Sequence, residues 1–205
     1  MGDTASRAKT RKALDEHGLE FHQTLPLLDF AEPRPVGDVL ARLFCLNAVA
    51  AAAYGFRSAS SLAWLTRENF VDRLSINERI FLEHGQGDPV VFRLQVEGMW
   101  ALAWTLGIVS RLDFWRHCSS DFVTRLPDLK SGEGTARTIM QMNARDGDEV
   151  RAACDLYYCL NWVVRETSLR GQTLPPGLEP YVITERARAL DWILGDDWGA
   201  GDLDT

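Results

Sequence analysis

Two carboxylates, Glu97 and Asp155, are the residues best placed for acid–base chemistry in this 205-residue sequence. Each stands among tryptophan and tyrosine residues at helical spacing. A carboxyl group among aromatic rings loses hydration, which raises its pKa towards values useful for proton transfer. The alternative is structural: each carboxylate pairs with an arginine and holds two helices in register. The arginines at helical spacing are Arg93, Arg151 and Arg165.

Two stripes of polar and aromatic residues carry these carboxylates. The first stripe is Arg93, Glu97, Trp100 and Trp104, and the second stripe is Arg151, Asp155, Tyr158, Trp162 and Arg165. The members follow each other at steps of three or four, which places each stripe on one face of a helix. Tyr and Trp are seldom fully exposed, and Asp and Arg are seldom buried without partners, so we expect both faces to be half-buried. They either pack on another helix or line a cleft. Besides the two carboxylates, the candidates for ligand or interface contacts are Arg93, Trp100, Trp104, Arg151, Tyr158, Trp162 and Arg165.

Two long helices must position these stripes. Asp146 and Glu149 form a capping-box pattern, and no Pro or Gly follows until Gly171, so the sequence predicts a helix over 147–169. Pro89 at a first helical position predicts a second helix over 88–108. Gly98 in that helix indicates close packing on its side. We predict that the two helices pack together through their stripes.

The rest of the chain also indicates helices and no alternating strand pattern. Ser75 and Glu78 form a further capping box, and Thr184 is a candidate N-cap of the last helix. The predicted fold is all-α: one irregular bundle of about seven to nine helices around a central helix near 147–169. We expect a single domain over 1–205, with 1–12 frayed and 196–205 an acidic tail that either folds back through Trp198 or stays free.

Composition excludes several classes of function. A net charge of −7 disfavours nucleic acid as a partner, because phosphate binding needs concentrated positive charge. The longest apolar run, 99–109, is too short to cross a membrane. The four cysteines have no paired spacing, which is typical of a reducing cytoplasm. We therefore expect a cytoplasmic protein with no membrane and no nucleic-acid partner.

Metal and nucleophile sites have no support in the sequence. The four histidines are scattered, so we expect no metal and no cofactor. No serine lies in a Gly-x-Ser-x-Gly motif. Cys118 has His117 beside it but no third group, so a structural thiol is the better interpretation.

Taken together in order and spacing, segments along nearly the whole chain resemble the bacterial family known as domain of unknown function 4272. The resemblance rests on Leu25-Pro26, Arg42, Trp64-Leu65, 74–82, Glu97, Asp155 to Tyr158, Trp162, Glu185-Arg186, Leu190, Trp192, Trp198 and Asp204-Thr205. Cys159 and Asn161 depart from it, since the family commonly has a basic residue and a His there. The resemblance implies a mostly helical intracellular protein with no established activity.

Two classes of function fit these observations. The first is a non-catalytic cytoplasmic binding protein, such as an immunity-like or adaptor module, that acts through contacts with a protein partner. The second is an enzyme or small-ligand binder that uses a cleft around Glu97 and Asp155. A concave pocket between the stripes would favour the second class.

Overall fold

The chain folds into α-helices joined by loops. A computed structural model describes residues 4–22, 24–28, 31–195 and 197–198. These residues contain two 3-10 helices, Val71–Arg73 and Phe122–Arg125, and no strand. The predicted all-α class is confirmed. The α-helices are α1 (Thr4–Asp15), α2 (Val36–Ala53), α3 (Ser58–Arg67), α4 (Ile76–His84), α5 (Pro89–Leu94), α6 (Val96–Thr105), α7 (Ala136–Met140), α8 (Gly147–Leu169) and α9 (Pro180–Ile193).

The helices pack in a series across the molecule. α1 packs on α8, α8 on α9, α9 on α6 and α6 on α2, while α3, α4 and α5 cover the other side of α2. The predicted helix at 147–169 is present as α8, the longest in the described chain. The predicted association of α8 with the 88–108 segment is present, and a side chain of α9 links the two. Arg186 of α9 binds both Glu97 of α6 and Tyr157 of α8.

Helix α2 is buried on two sides. Leu43 and Leu46 belong to a core cluster shared with α6, α8 and α9, whereas Phe44 and Cys45 belong to a second cluster with α3 and α4. Its length and composition alone would allow it to cross a membrane, but 67% of the stretch is buried inside the fold. Such burial is what the core helix of a folded domain requires.

The predicted helix over 88–108 is two helices, whose main neighbours differ. α5 places Phe92 in the cluster beside α2, and the Arg93 guanidinium donates to the Ala53 carbonyl at 2.8 Å. α6 turns at Gln95 and packs on α9. Close packing beside Gly98 is confirmed, since a Cβ there would lie 3.2 Å from the backbone oxygen of Glu185.

Both ends of the chain differ from or extend the prediction. Residues 4–12, predicted to be frayed, lie in α1, which is held to α8 by the buried side chain of Arg7. The last helix begins at Pro180 rather than at Thr184, with the proline at a first helical position. Trp198 folds back onto the body and is 9% exposed. Residues 196 and 199–205 of the predicted acidic tail lie outside the described residues.

Candidate functional site

Asp155 is the centre of a buried ion pair between α8 and α1. Its carboxylate accepts hydrogen bonds from the Arg7 guanidinium at 2.8 Å and from the Thr10 hydroxyl at 2.7 Å. Arg7 also donates to the carbonyls of Leu25 and Pro26. Burial opposes the charge of Arg7, but the hydrogen bonds with Asp155 and the charge interactions with Cys159, Asp155 and Tyr158 together outweigh that cost and raise the Arg7 pKa. The carboxylate therefore fixes α1 and the following loop onto α8.

Glu97 has an equivalent partner in Arg186, which is completely buried. The guanidinium donates to one Glu97 carboxylate oxygen at 2.6 Å and to the Tyr157 hydroxyl at 3.1 Å. The other Glu97 oxygen accepts the backbone N–H of Cys118 at 2.9 Å. Burial works against the charge of Arg186, but its interactions with Tyr157 and Glu97 raise the Arg186 pKa nonetheless. This network joins α6, α8, α9 and the loop after α6.

A third buried pair joins α2 to α4. Both guanidinium NH2 groups of Arg42 donate to the carboxylate of Glu78, which also completes the Ser75 capping box. Trp198 stacks over the Arg42 guanidinium, with the ring centroid 4.2 Å away. The capping box was predicted from the sequence and is confirmed, whereas its arginine partner was not predicted.

These three pairs act as structural anchors. A general acid or base must reach a substrate atom within hydrogen-bond distance. Glu97 is 4% exposed and Asp155 is 3% exposed. Their carboxylate oxygens already accept hydrogen bonds from arginine, hydroxyl or backbone N–H groups. The structural alternative of the sequence analysis thus describes their geometry, but with Arg186 and Arg7 as partners in place of Arg93, Arg151 and Arg165.

The other candidates from the second stripe have different surroundings along α8. Tyr158 lies 5.9 Å from the Arg7 guanidinium, and Arg151 is bound by Asp148 at 2.8 Å. Trp162 is half-buried and lines a polar cleft of about 720 Å³ with His22. Arg165 is exposed. The stripe therefore packs on α1 at one end and lines a cleft at the other.

Some of the polar groups that line the cleft at Trp162 are already paired with each other or with a neighbour. Arg170 and Glu166 pair with each other at 2.7 Å, and His22 Nδ1 lies 2.7 Å from the Thr24 hydroxyl. These partners reduce what the cleft can offer to a bound molecule.

Arg93 does not share a helix face with the other candidates of the first stripe. Arg93 lies on α5 and stacks over the Tyr54 ring at 5.4 Å. Trp100 donates its indole N–H to the Arg111 carbonyl at 3.0 Å. Trp104 is covered by the Arg145 guanidinium at 4.4 Å. The turn at Gln95 separates Arg93 from the other three members, which is why the stripe does not act as a unit.

A half-open groove lies beside α2 and α6, and sequence reasoning did not find it. We call it the apolar groove; its volume is about 870 Å³, within the range of natural binding sites. Buried Met99 and Phe122 and half-buried Val96 and Leu129 contribute to its apolar surface. The residues that line it are Asn47, Ala50, Ala51, Tyr54, Gly55, Phe56, Arg57, Val96, Met99, Cys118, Ser119, Ser120, Phe122, Val123, Thr124, Leu126, Pro127, Asp128, Leu129 and Lys130.

The wall of the apolar groove is built from distant parts of the chain. One part is the C-terminal end of α2 with residues 54–57, another is the first turn of α6, and the third is the loop 118–130. Asn47 ties two of them together, since its side-chain amide donates to the Pro127 carbonyl at 3.2 Å. No local pattern could have revealed this surface, because residues 80 positions apart form it.

Cys118 brings a thiol to the apolar groove, but a weakly reactive one. Burial, together with the neighbouring carboxylate of Glu97, raises the pKa of Cys118 to about 12. The thiolate, which is the nucleophile, is therefore scarce near neutral pH. His117 lies beside it with its Nδ1 2.7 Å from the Tyr181 hydroxyl and 3.7 Å from Glu97. Within the described chain no group of three or more His, Cys, Asp or Glu side chains could hold a metal.

Comparison with known proteins identifies the family. A family model described as "Domain of unknown function (DUF4272)" matches residues 6–200. The chain belongs to this family. A search of curated proteins and of solved structures found no match.

In this DUF4272 protein most of the charged residues of the buried pairs are among those that carry the resemblance. Five of the six charged members are Arg42, Glu78, Glu97, Asp155 and Arg186, and Trp198 covers one of the pairs. The resemblance was therefore anchored on residues that join helices. The apolar groove is formed mostly by other residues.

Proposed function

We propose that this DUF4272 protein is a non-catalytic binding protein, of the adaptor or immunity-like kind, that holds an apolar segment of a partner protein in the apolar groove. The observation that carries the proposal is the groove itself: about 870 Å³ of half-open, largely apolar surface. Removing an apolar side chain of the partner from water there would contribute about 1.5–3 kcal/mol.

The exposed rim of the apolar groove favours a protein over a small molecule. Tyr54 is 67% exposed and Val123 is 66% exposed, and they come from different segments of the wall. Near Val123, α7 contacts the 3-10 helix through the Thr138 hydroxyl and the Arg125 carbonyl, and it exposes Met140. Apolar surface that extends beyond a concavity is typical of protein interfaces, whereas a small ligand is enclosed by its site.

The state of the two candidate acid–base residues supports a non-catalytic role. Glu97 and Asp155 are buried in ion pairs and neither lines the apolar groove. The groove contains Cys118, whose raised pKa of about 12 makes it a poor nucleophile.

We also propose that the protein acts in the cytoplasm. All four cysteines lie in the described part of the chain, and none forms a disulfide bond. Reduced thiols are typical of that compartment.

The test is to purify the protein from its native host, with the apolar groove either open or filled by a substitution, and to identify what co-purifies. Ala51 lines the apolar groove and is half-buried, so Ala51→Trp fills it from the α2 side. Ala63→Trp, on an exposed face of α3 that does not line the groove, is the matched control. We expect one protein to co-purify with the wild-type chain and with Ala63→Trp, and to be lost with Ala51→Trp.

The same preparation separates the proposal from its alternative. Mass spectrometry of bound small molecules is run on each sample. A small molecule retained by wild type and lost from Ala51→Trp, with no protein following the same pattern, would replace the protein partner by a ligand. Equal recovery of the partner with all three chains would place its binding site elsewhere.

A further inference from the structure

Two exposed cations stand at the rim of the apolar groove. Arg57 and Lys130 line it, both side chains are exposed, and neither has an ion-pair partner among the residues that the structure describes. Arg93 lies next to this rim, stacked on Tyr54. Among the described residues of the lining, Asp128 contributes a carboxylate, whose oxygen accepts the backbone N–H of Lys130 at 2.9 Å. The carboxylate of Asp121 lies next to the lining and accepts a hydrogen bond from the hydroxyl of Ser119.

This rim contrasts with the charge of the chain as a whole. The sequence carries 29 acidic residues against 22 basic ones, a net charge of −7. Cations without ionic partners beside an apolar groove therefore set the polarity of what the groove can accept, because opposite charge steers and orients a partner.

We infer that the groove recognises an acidic–apolar segment: a large apolar residue flanked by aspartate or glutamate. This rests on the proposed function and names the chemistry of the partner. The apolar side chain would lie against Met99 and Phe122, and the flanking carboxylates would meet Arg57 and Lys130. A basic flank would instead meet like charge on the rim and lose affinity.

The experiment selects peptides on the full-length protein. A random 12-residue peptide library displayed on phage is selected on wild type and counter-selected on Ala51→Trp. Enriched sequences are synthesised with fluorescein, and their affinity is measured by anisotropy at low and high salt. We expect a consensus with Asp or Glu within three positions of an aromatic or branched aliphatic residue.

Charge reversal at the rim gives the second readout. Arg57→Glu and Lys130→Glu should each weaken the selected peptides about three- to tenfold at low salt, and high salt should shrink that difference. Neither side chain has a hydrogen-bond or ion-pair partner among the described residues, so both variants should fold. Lys9→Glu, an equal change of charge on the exposed face of α1, is the control and should leave affinity unchanged.

The outcomes separate this inference from the proposed function. Peptides that require the open groove but carry neutral or basic flanks, or that ignore both rim variants, overturn the acidic–apolar assignment and keep the groove as the binding site. Peptides that bind Ala51→Trp as well as wild type, or no enrichment at all, overturn the proposed function and this inference together.

Discussion

A buried carboxylate can serve as a proton carrier or as an anchor, and its neighbours decide which. Asp155 accepts hydrogen bonds from Arg7, which lies 148 positions away in the sequence. Glu97 accepts them from Arg186, which lies 89 positions away. Charge-assisted hydrogen bonds of this kind are strong and directional. Removing one partner leaves the other charge buried without compensation, which is expensive. We therefore treat both residues as anchors.

The first prediction concerns the removal of these charges. Asp155→Asn and Glu97→Gln should each lower the free energy of unfolding by about 3 kcal/mol or more, because Arg7 or Arg186 stays buried beside a neutral group. Urea unfolding followed by circular dichroism measures the loss. Glu166→Gln, in the more exposed pair with Arg170, should cost less than about 1 kcal/mol. Full stability of Asp155→Asn would show that the carboxylate is not an anchor.

The second prediction concerns alkaline pH. Burial, followed by the charge of Asp155, raises the pKa of Cys159 from 9.0 to about 12. Below pH 9 both the folded and the unfolded state keep the proton, so the full contribution to stability is present. Between pH 9 and 12 the unfolded state alone loses it, and stability falls as pH rises.

Removal of this thiol should flatten the alkaline decline. We expect Cys159→Ala to reduce the loss of unfolding free energy by about 1.4 kcal/mol per pH unit over that range, measured by urea unfolding at each pH. Leu160→Ala, an apolar truncation at the next buried position, should lower stability at every pH and leave the slope unchanged. An unaltered slope in Cys159→Ala would refute the assignment.

At the scale of elements, local patterns predicted local structure. The Ser75–Glu78 box begins α4, and Asp146 caps α8 by accepting the Glu149 N–H at 2.8 Å, because both signals lie within four residues. The turn at Gln95 escaped prediction, since no Pro or Gly marks it. Its cause is tertiary: α5 packs mainly on α2, whereas α6 packs mainly on α9.

Glycine at the end of α6 permits a close approach between elements. Gly107 has φ +71°, and a Cβ there would lie 2.0 Å from the Asn143 carbonyl oxygen. The segment that follows α7 donates backbone N–H groups to the last carbonyls of this helix region, as from Asn143 to Leu106 at 3.0 Å and from Arg145 to Thr105 at 2.9 Å. Any side chain at position 107 would push the segment around Asn143 away from the end of α6.

The third prediction compares two glycines with similar backbone. Gly107→Ala should lower the free energy of unfolding by about 2–4 kcal/mol, because it adds a clash to an unfavourable φ. Gly171→Ala has φ +64° and nothing within 4 Å of the added Cβ, so it should cost only about 1 kcal/mol. Thermal and urea unfolding of both variants give the comparison. Equal losses of unfolding free energy in the two variants would mean that the backbone at Asn143 moves away from an added Cβ without cost.

At the scale of the whole molecule, the sequence predicted the class of fold but not the site. The helices follow from periodicity and caps, whereas the apolar groove needs α2, α6 and the loop 118–130 to come together. Asn47 and Pro127, whose contact helps to close its wall, show no pattern in the sequence that links them. The stripes led instead to residues that anchor helices or line a separate polar cleft.

The central claim is that the apolar groove holds a segment of a partner protein, and site-specific photocrosslinking in the native host tests it most directly. The photoreactive residue p-benzoylphenylalanine is placed at Tyr54 or at Val123 on the rim of the apolar groove. The control positions are Ile76 and Leu169, whose side chains are at least as exposed but do not line the groove. We predict one covalent adduct, with the same protein, from both rim positions and none from the other two. Adducts from Ile76 or Leu169 with none from Tyr54 and Val123 would contradict the account.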